Sequence, residues 1–244
     1  RSLQAILDLV GPAQPAAAPL ADASPVSASA SPSPASSDQA PVYAMAAVPT
    51  TAPALPDRLD GQLLITGPDS DLVVALTEAA GARGAAVIRS AESANQQLRW
   101  VVDTTGCLAD DTAATDAFFG FVDELRRLES QLNGLQIVSL SQFGGQFGRT
   151  AEATSVSSVA GAANGLFNCL RKEYTGLIAR AVDFEANATT EAMASRALAE
   201  VASRDPAFEA GYQAGERLDF GTLPAPDDIE PSAAVEPAAD WVTV

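Results

Sequence analysis

The chain has 244 residues, 47% of them apolar, and a formal net charge of −17 from 14 basic and 31 acidic side chains. That is enough for one sizeable core with tails to spare. It argues against nucleic acid or an anionic membrane surface as a partner, because phosphate needs clustered cations.

Histidine is absent, so no imidazole base and no His-containing metal site can exist. No apolar run approaches the roughly 20 residues of a membrane span. Cys107 and Cys169 stand far apart. They read as two reduced core cysteines of a cytoplasmic protein, neither a disulfide framework nor a thiolate metal site.

Residues 1–10, RSLQAILDLV, read as the end of a helix, with Leu3, Ile6, Leu7 and Val10 on one stripe. So short a helix cannot stand alone in water, and the first residue is Arg1, so a longer parent chain is expected. Residues 11–41 are nearly all Ala, Pro and Ser, the composition of a flexible linker. A short strand is predicted at 42–48, then a Pro-punctuated connection to Pro56.

From residue 60 the pattern alternates. Strands are predicted at 62–66, 85–89, 99–103, 135–139 and 179–184, and helices at 70–82, 112–132, 152–174 and 189–204. The strands are continuous apolar runs, as expected where both faces of a sheet are covered. With right-handed crossovers this gives an α/β fold: a truncated, Rossmann-like, doubly wound parallel sheet with flexible tails. The helix at 112–132 has one apolar face (Phe118, Phe121, Val122, Leu125, Leu128, Leu132) and one charged face. Residues 206–223 read as a hairpin turning near Ala214-Gly215. Residues 224–240 form an acidic linker, and Trp241–Val244 look like the start of another folded unit.

The stretch 63-LLITGPDSDLVVAL-76 has the strand, turn and helix of a nucleotide-binding fold. A phosphate loop needs glycines there, so that backbone N–H groups can approach the pyrophosphate. Pro68 removes one donor, and Asp69 and Asp71 put negative charge where phosphates would sit. Ser70 or Asp69 reads better as the helix N-cap.

A short-chain reductase needs a serine at the end of a strand, then a tyrosine acid with a lysine four residues on to lower its pKa. Ser139 or Ser141 could supply the serine. The only lysine is Lys172, preceded four residues earlier by Asn168, and the tyrosines are Tyr43, Tyr174 and Tyr212. A Tyr-x-x-x-Lys pair is therefore impossible in this chain; Ser157 and Ser158 stand nearest the place for the tyrosine. Asp69, Asp71 and Asp103 are expected at the strand ends as caps and solvated rim charges. No catalytic, cofactor-binding or metal-ligating residue is assigned.

Taken together, 155-SVSSVAGAANGLFNCLRKEYTGLIARAVDFE-185 resembles the ketoreductase region of type I polyketide synthases, and within it the structural, non-catalytic subdomain. The likeness lies in Ala162-Ala163-Asn164-Gly165-Leu166, Arg171-Lys172-Glu173 and Ala181-Val182-Asp183-Phe184. The stretch 211-GYQAGERLDFGTL-223 resembles the closing strands of that subdomain, and 42-VYAMAAVP-49 its first strand.

The resemblance implies that 42–223 packs in cis against a catalytic subdomain beginning after Val244, through the hairpin 206–223 and the strand 42–48. It also implies that 1–10 is the last helix of an acyl carrier domain. That order is similar to iterative synthases of the polyunsaturated-fatty-acid or enediyne type. The parent would use NADPH and phosphopantetheine to reduce a β-ketoacyl thioester, with none of the cofactor in this segment. Two other functions fit the residues: a divergent active reductase using Ser141, with a pocket beside Ser141, Asp103 and Thr66, and a protein-docking module.

Overall fold

The computed structural model describes residues 43–149 and 158–224. The expected carrier helix at 1–10, the linker at 11–41, the acidic stretch after 224 and Trp241–Val244 lie outside the described residues. So does 152–157, the head of one predicted helix. Two units are distinguished: of the described residues, the larger takes in 47–220 and the smaller 43–46 with 221–224. The smaller contributes only strand residues.

The strands are β1 (Tyr43–Thr50), β2 (Gln62–Thr66), β3 (Ala86–Ile88), β4 (Leu98–Gly106), β5 (Gln136–Ser141), β6 (Ile178–Phe184), β7 (Glu209–Gln213) and β8 (Glu216–Pro224). The helices are α1 (Asp71–Gly81), α2 (Asp111–Arg127), α3 (Ser158–Glu173) and α4 (Thr190–Ala202). Each overlaps a segment where the periodicity places an element of its type, with β4 running on to Gly106 and α2 ending at Arg127. The sheet order is β1-β8-β7-β6-β5-β4-β2-β3. Strands β3, β2, β4, β5, β6 and β7 pair in parallel, and β8 returns antiparallel to β7. The sheet is thus mixed, and the predicted hairpin makes it so. Its turn is Ala214-Gly215, both left-handed with φ of 49° and 84°, as a two-residue type I′ turn requires.

Helices cover both faces. Leu63, Ile65, Val102, Val138, Leu140, Val182 and Phe184 point to one face, beneath α1 and α4. Leu64, Val101, Ile137 and Ala179 point to the other, beneath α2 and α3. Adjacent residues of one strand thus serve opposite cores, which is why the strands are apolar throughout. Strands β4 to β7 step across the sheet in one direction, yet α2 and α3 lie on one face and α4 on the other. The β6–α4–β7 connection therefore has the opposite hand to the two before it, so right-handed crossovers throughout are not observed.

Local chemistry sets the helix ends. Ser70 caps α1, its Oγ accepting from Val73 N–H at 3.3 Å. Asp110 caps α2 through Ala113 N–H at 2.7 Å, and Arg126 and Arg127 stand at its C-terminal end, where the helix dipole favours cations. Thr189 caps α4. The α-helix predicted to 132 stops at Arg127, and 129–134 continue as a 3-10 helix that still buries Leu132. The cysteines are not both core residues: Cys107 is half-buried and Cys169 is exposed on α3.

Candidate functional site at the carboxyl ends of the strands

In an open parallel sheet, ligands bind outside the carboxyl ends of the strands, where the winding reverses. Here that point lies between β2 and β4, because β3 follows on one side of β2 and β4 stands on the other. The C-terminal residues of β2, β4, β5 and β6 bring Thr66, Asp103, Ser139, Ser141 and Asp183 to this rim.

Asp103 is not a solvated rim charge. Strand β4 runs on through Thr104 and Thr105 to Gly106, and Asp103 has no exposed surface. Its Oδ1 accepts from Thr66 Oγ1 (3.1 Å) and Thr105 N–H (3.2 Å), and its Oδ2 from Thr105 Oγ1 (2.8 Å) and Ser139 Oγ (2.7 Å). Burial pushes this carboxyl above the usual range, and those donors pull against it without cancelling the effect. The sequence predicts a strand that ends at Asp103, and two of the partners that bury its carboxylate, Thr66 and Ser139, lie 37 and 36 residues away. That is why the burial was not foreseen.

Ser141 is equally committed. Its Oγ donates to Asp183 Oδ1 at 2.7 Å, and the same oxygen accepts from Phe143 N–H at 2.8 Å. Asp183 Oδ2 accepts from Phe147 N–H at 2.7 Å. Asp183 thereby fixes the loop 142–148, in which Phe147 holds a left-handed φ of 55°. Burial raises the Asp183 carboxyl too. Burial, then the Asp103 and Asp183 charges, hold the thiol of Cys107 well above its ordinary range.

The turn after β2 is filled by the chain itself. Ser70 is the cap, and Asp69 and Asp71 face solvent. Gly67 has φ +99°, and a Cβ there would lie 2.3 Å from Thr104 Oγ1, so only glycine fits beside that hydroxyl. The reductase roles are not brought together. Lys172 and Asn168 are exposed on α3, Tyr174 OH donates to Glu129 (3.2 Å), and Tyr212 OH is buried against Glu200 (2.8 Å). Ser157 and the Tyr43 side chain lie outside the described residues.

A second buried polar cluster lies under α4. Glu200, fully buried, faces two guanidiniums that are 1% exposed: Arg180, and Arg217 at 2.6 Å. Arg217 also reaches Asp205 (3.0 Å), Asp219 (2.5 Å) and Thr50 Oγ1 (2.9 Å). The signal was present in the sequence: Arg180 is the one cation inside the buried run ARAVDF, and Glu200 sits in the otherwise apolar ALAEVA. A charge in a run covered on both faces must be paired.

Among the described residues no group of Cys, Asp and Glu side chains could hold a metal, and no helix is long and apolar enough to cross a membrane. No protein-family model and no curated relative matches the sequence. Solved structures do match. The first ketoreductase of the tylosin polyketide synthase aligns at TM-score 0.54 and 18% identity, over 75% of this chain and 41% of that one. A-type ketoreductases from a modular polyketide synthase align at 0.54 and 17%, over 75% and 42%. PlmKR1, from the first module of phoslactomycin biosynthesis in Streptomyces sp. HK803, aligns at 0.51 and 13%, over 75% and 38%.

The fold is that of polyketide synthase ketoreductases. At this identity the likeness extends to the fold alone, and the chain spans about two-fifths of the length of each of these ketoreductases. Against that ketoreductase-like frame, the carboxyl rim here is packed with side chains that satisfy one another.

Proposed function

We propose that this chain is the structural, non-catalytic subdomain of a polyketide synthase ketoreductase, stabilising in cis the subdomain that performs the NADPH-dependent reduction. The observation that carries this reading is the sealed rim. Thr66, Asp103, Ser139 and Ser141 are each 5% exposed or less, and their polar atoms are spent on one another and on Asp183. A general acid or a carbonyl clamp must present a polar atom to substrate, and these present none. The length supports it: a segment covering 41% of a ketoreductase is the size of one of two subdomains.

The acyl carrier helix at 1–10, its phosphopantetheine arm upstream and the iterative type of parent belong to the same proposal. The reduced substrate would be a β-ketoacyl thioester carried on that arm. The contact surface is proposed on β1 and the β7–β8 hairpin, where Val48 is 45% exposed. At about 25 cal/mol per Å², several hundred Å² of apolar contact would stabilise the partner by several kcal/mol before association costs.

Titration calorimetry of residues 42–223 with NADPH tests the cofactor side. No heat is expected, and micromolar binding would sink the proposal. Expressing the downstream subdomain with and without this segment tests the scaffold side. The segment should be needed for soluble, active reductase.

A further inference from the structure

Arg89 follows β3 directly and stands 22 residues after Gly67. In dinucleotide-binding folds, the residue about 20 positions beyond the glycine turn meets the ribose, and an arginine there takes the 2′-phosphate of NADP. Here the guanidinium is turned the other way. Nη1 donates to Ile65 O at 2.7 Å and Nη2 to Gly67 O at 2.5 Å, with the Asp69 carboxylate at 3.4 Å. The carbonyl between them, Thr66 O, accepts from Thr104 Oγ1 at 2.9 Å. Three consecutive carbonyls at the carboxyl end of β2 are thus taken by side chains from β4 and from the end of β3.

We propose that Arg89 is a built-in plug on the β3 side of β2: its guanidinium lies against the β2–α1 turn, at the end where the 2′-phosphate half of a dinucleotide would otherwise lie, and stitches that turn closed. The planar fork suits this task, because its two terminal nitrogens reach two carbonyls two residues apart at once, with less freedom lost than for a flexible ammonium. Pro68 and Asp69 fit the same arrangement. Neither could line a phosphate loop, but Asp69 adds an acceptor for the cation held there. The inference rests on the non-catalytic reading of the rim, and its test separates the two.

The experiment is amide hydrogen exchange, read by mass spectrometry over residues 62–76, on the full chain and its Arg89→Met and Arg89→Lys variants. Each is measured with and without 2′,5′-ADP, a probe carrying the 2′-phosphate half of NADP. Charge-assisted hydrogen bonds of this kind lead us to expect roughly tenfold faster exchange in 62–76 for Arg89→Met. A smaller rise is expected for Arg89→Lys, no change in β5 and β6, and no effect of the probe on wild type. If both variants exchange like wild type, the stitch holds nothing and the plug is overturned, while the non-catalytic reading stands. If 2′,5′-ADP protects 62–76 in wild type and not in Arg89→Met, Arg89 is a phosphate ligand. The plug is then overturned and the non-catalytic reading goes with it. Should Arg89→Met not fold, Arg89→Lys carries the same comparison, since it keeps the charge and loses the fork.

Discussion

Two buried carboxylate systems hold this domain together, and they are neutralised differently. At the rim, Asp103 and Asp183 receive hydroxyls and backbone amides, and among the described residues no cation touches them. Under α4, Glu200 is clasped by Arg180 and Arg217, with Tyr212 and the half-buried Asp205 and Asp219 around them. The rim network ties neighbouring strand ends and one loop. The Glu200 cluster ties β6, α4, β7 and β8, and reaches Thr50 in β1, 167 residues from Arg217. Neutral donors can be replaced by water where a site opens; a buried guanidinium left without its anion cannot be relieved so easily.

The largest effect is therefore expected at Glu200. Glu200→Gln keeps the shape and leaves two buried guanidiniums facing a neutral amide. A loss of about 3–5 kcal/mol is expected, read as a large fall in the urea midpoint. A loss under about 1 kcal/mol would mean that the guanidiniums find water. The compensated triple variant Arg180→Met, Glu200→Leu, Arg217→Met sharpens the point. It should recover much of that stability, because apolar packing of similar volume often matches a buried ion pair.

Asp183→Asn comes next. Whichever way the amide sits, one acceptor becomes a donor, and either Phe143 N–H or Phe147 N–H loses its bond. About 1–3 kcal/mol is expected, together with new proteolytic cleavage within 142–149. Equal loss without local cleavage would show that Asp183 serves the sheet and not the loop. Tyr212→Phe removes one neutral donor from Glu200 and leaves both guanidiniums, so about 1 kcal/mol is expected. Its ring should keep its stacking on Phe184, 5.4 Å between centroids.

The same contrast explains what could be read from the sequence. The buried run QLLIT, the stripe Phe121-Val122-Leu125 and a helix cap at Asp69 or Ser70 were all legible, because their signals lie within a few residues. Ala214-Gly215 declared its hairpin for the same reason. Asp103 was not legible, since its partners Thr66 and Ser139 lie 37 and 36 residues away and become neighbours only through strand pairing. Nor was the use of Arg89. Its place in the sequence suits phosphate recognition, and only the fold brings it to Ile65 and Gly67. The absence of a Tyr-x-x-x-Lys pair was legible because it depends on counting alone.

The smallest effects are expected from pH, and there Asp103 and Asp205 should differ in sign. Burial raises Asp103 above an unfolded value near 3.9. The folded chain then binds the proton more tightly, so stability is greatest below the unfolded value and declines as pH rises through the folded one. Asp205 lies at the open end of the arginine cluster. Partial burial raises it, but the Ala207 N–H and the Arg217 and Arg180 guanidiniums outweigh that, and it falls below the usual range. Its contribution is present above the unfolded value and is lost as pH falls through the folded one. Urea unfolding of Asp103→Asn and Asp205→Asn against wild type, in steps from pH 3 to 8, reads the difference directly. The cost of Asp103→Asn should shrink as pH rises, and that of Asp205→Asn should grow. Parallel curves would mean that neutral donors stabilise the charged form of a buried carboxylate as well as guanidiniums do, and the distinction between rim and cluster would then be one of connectivity alone.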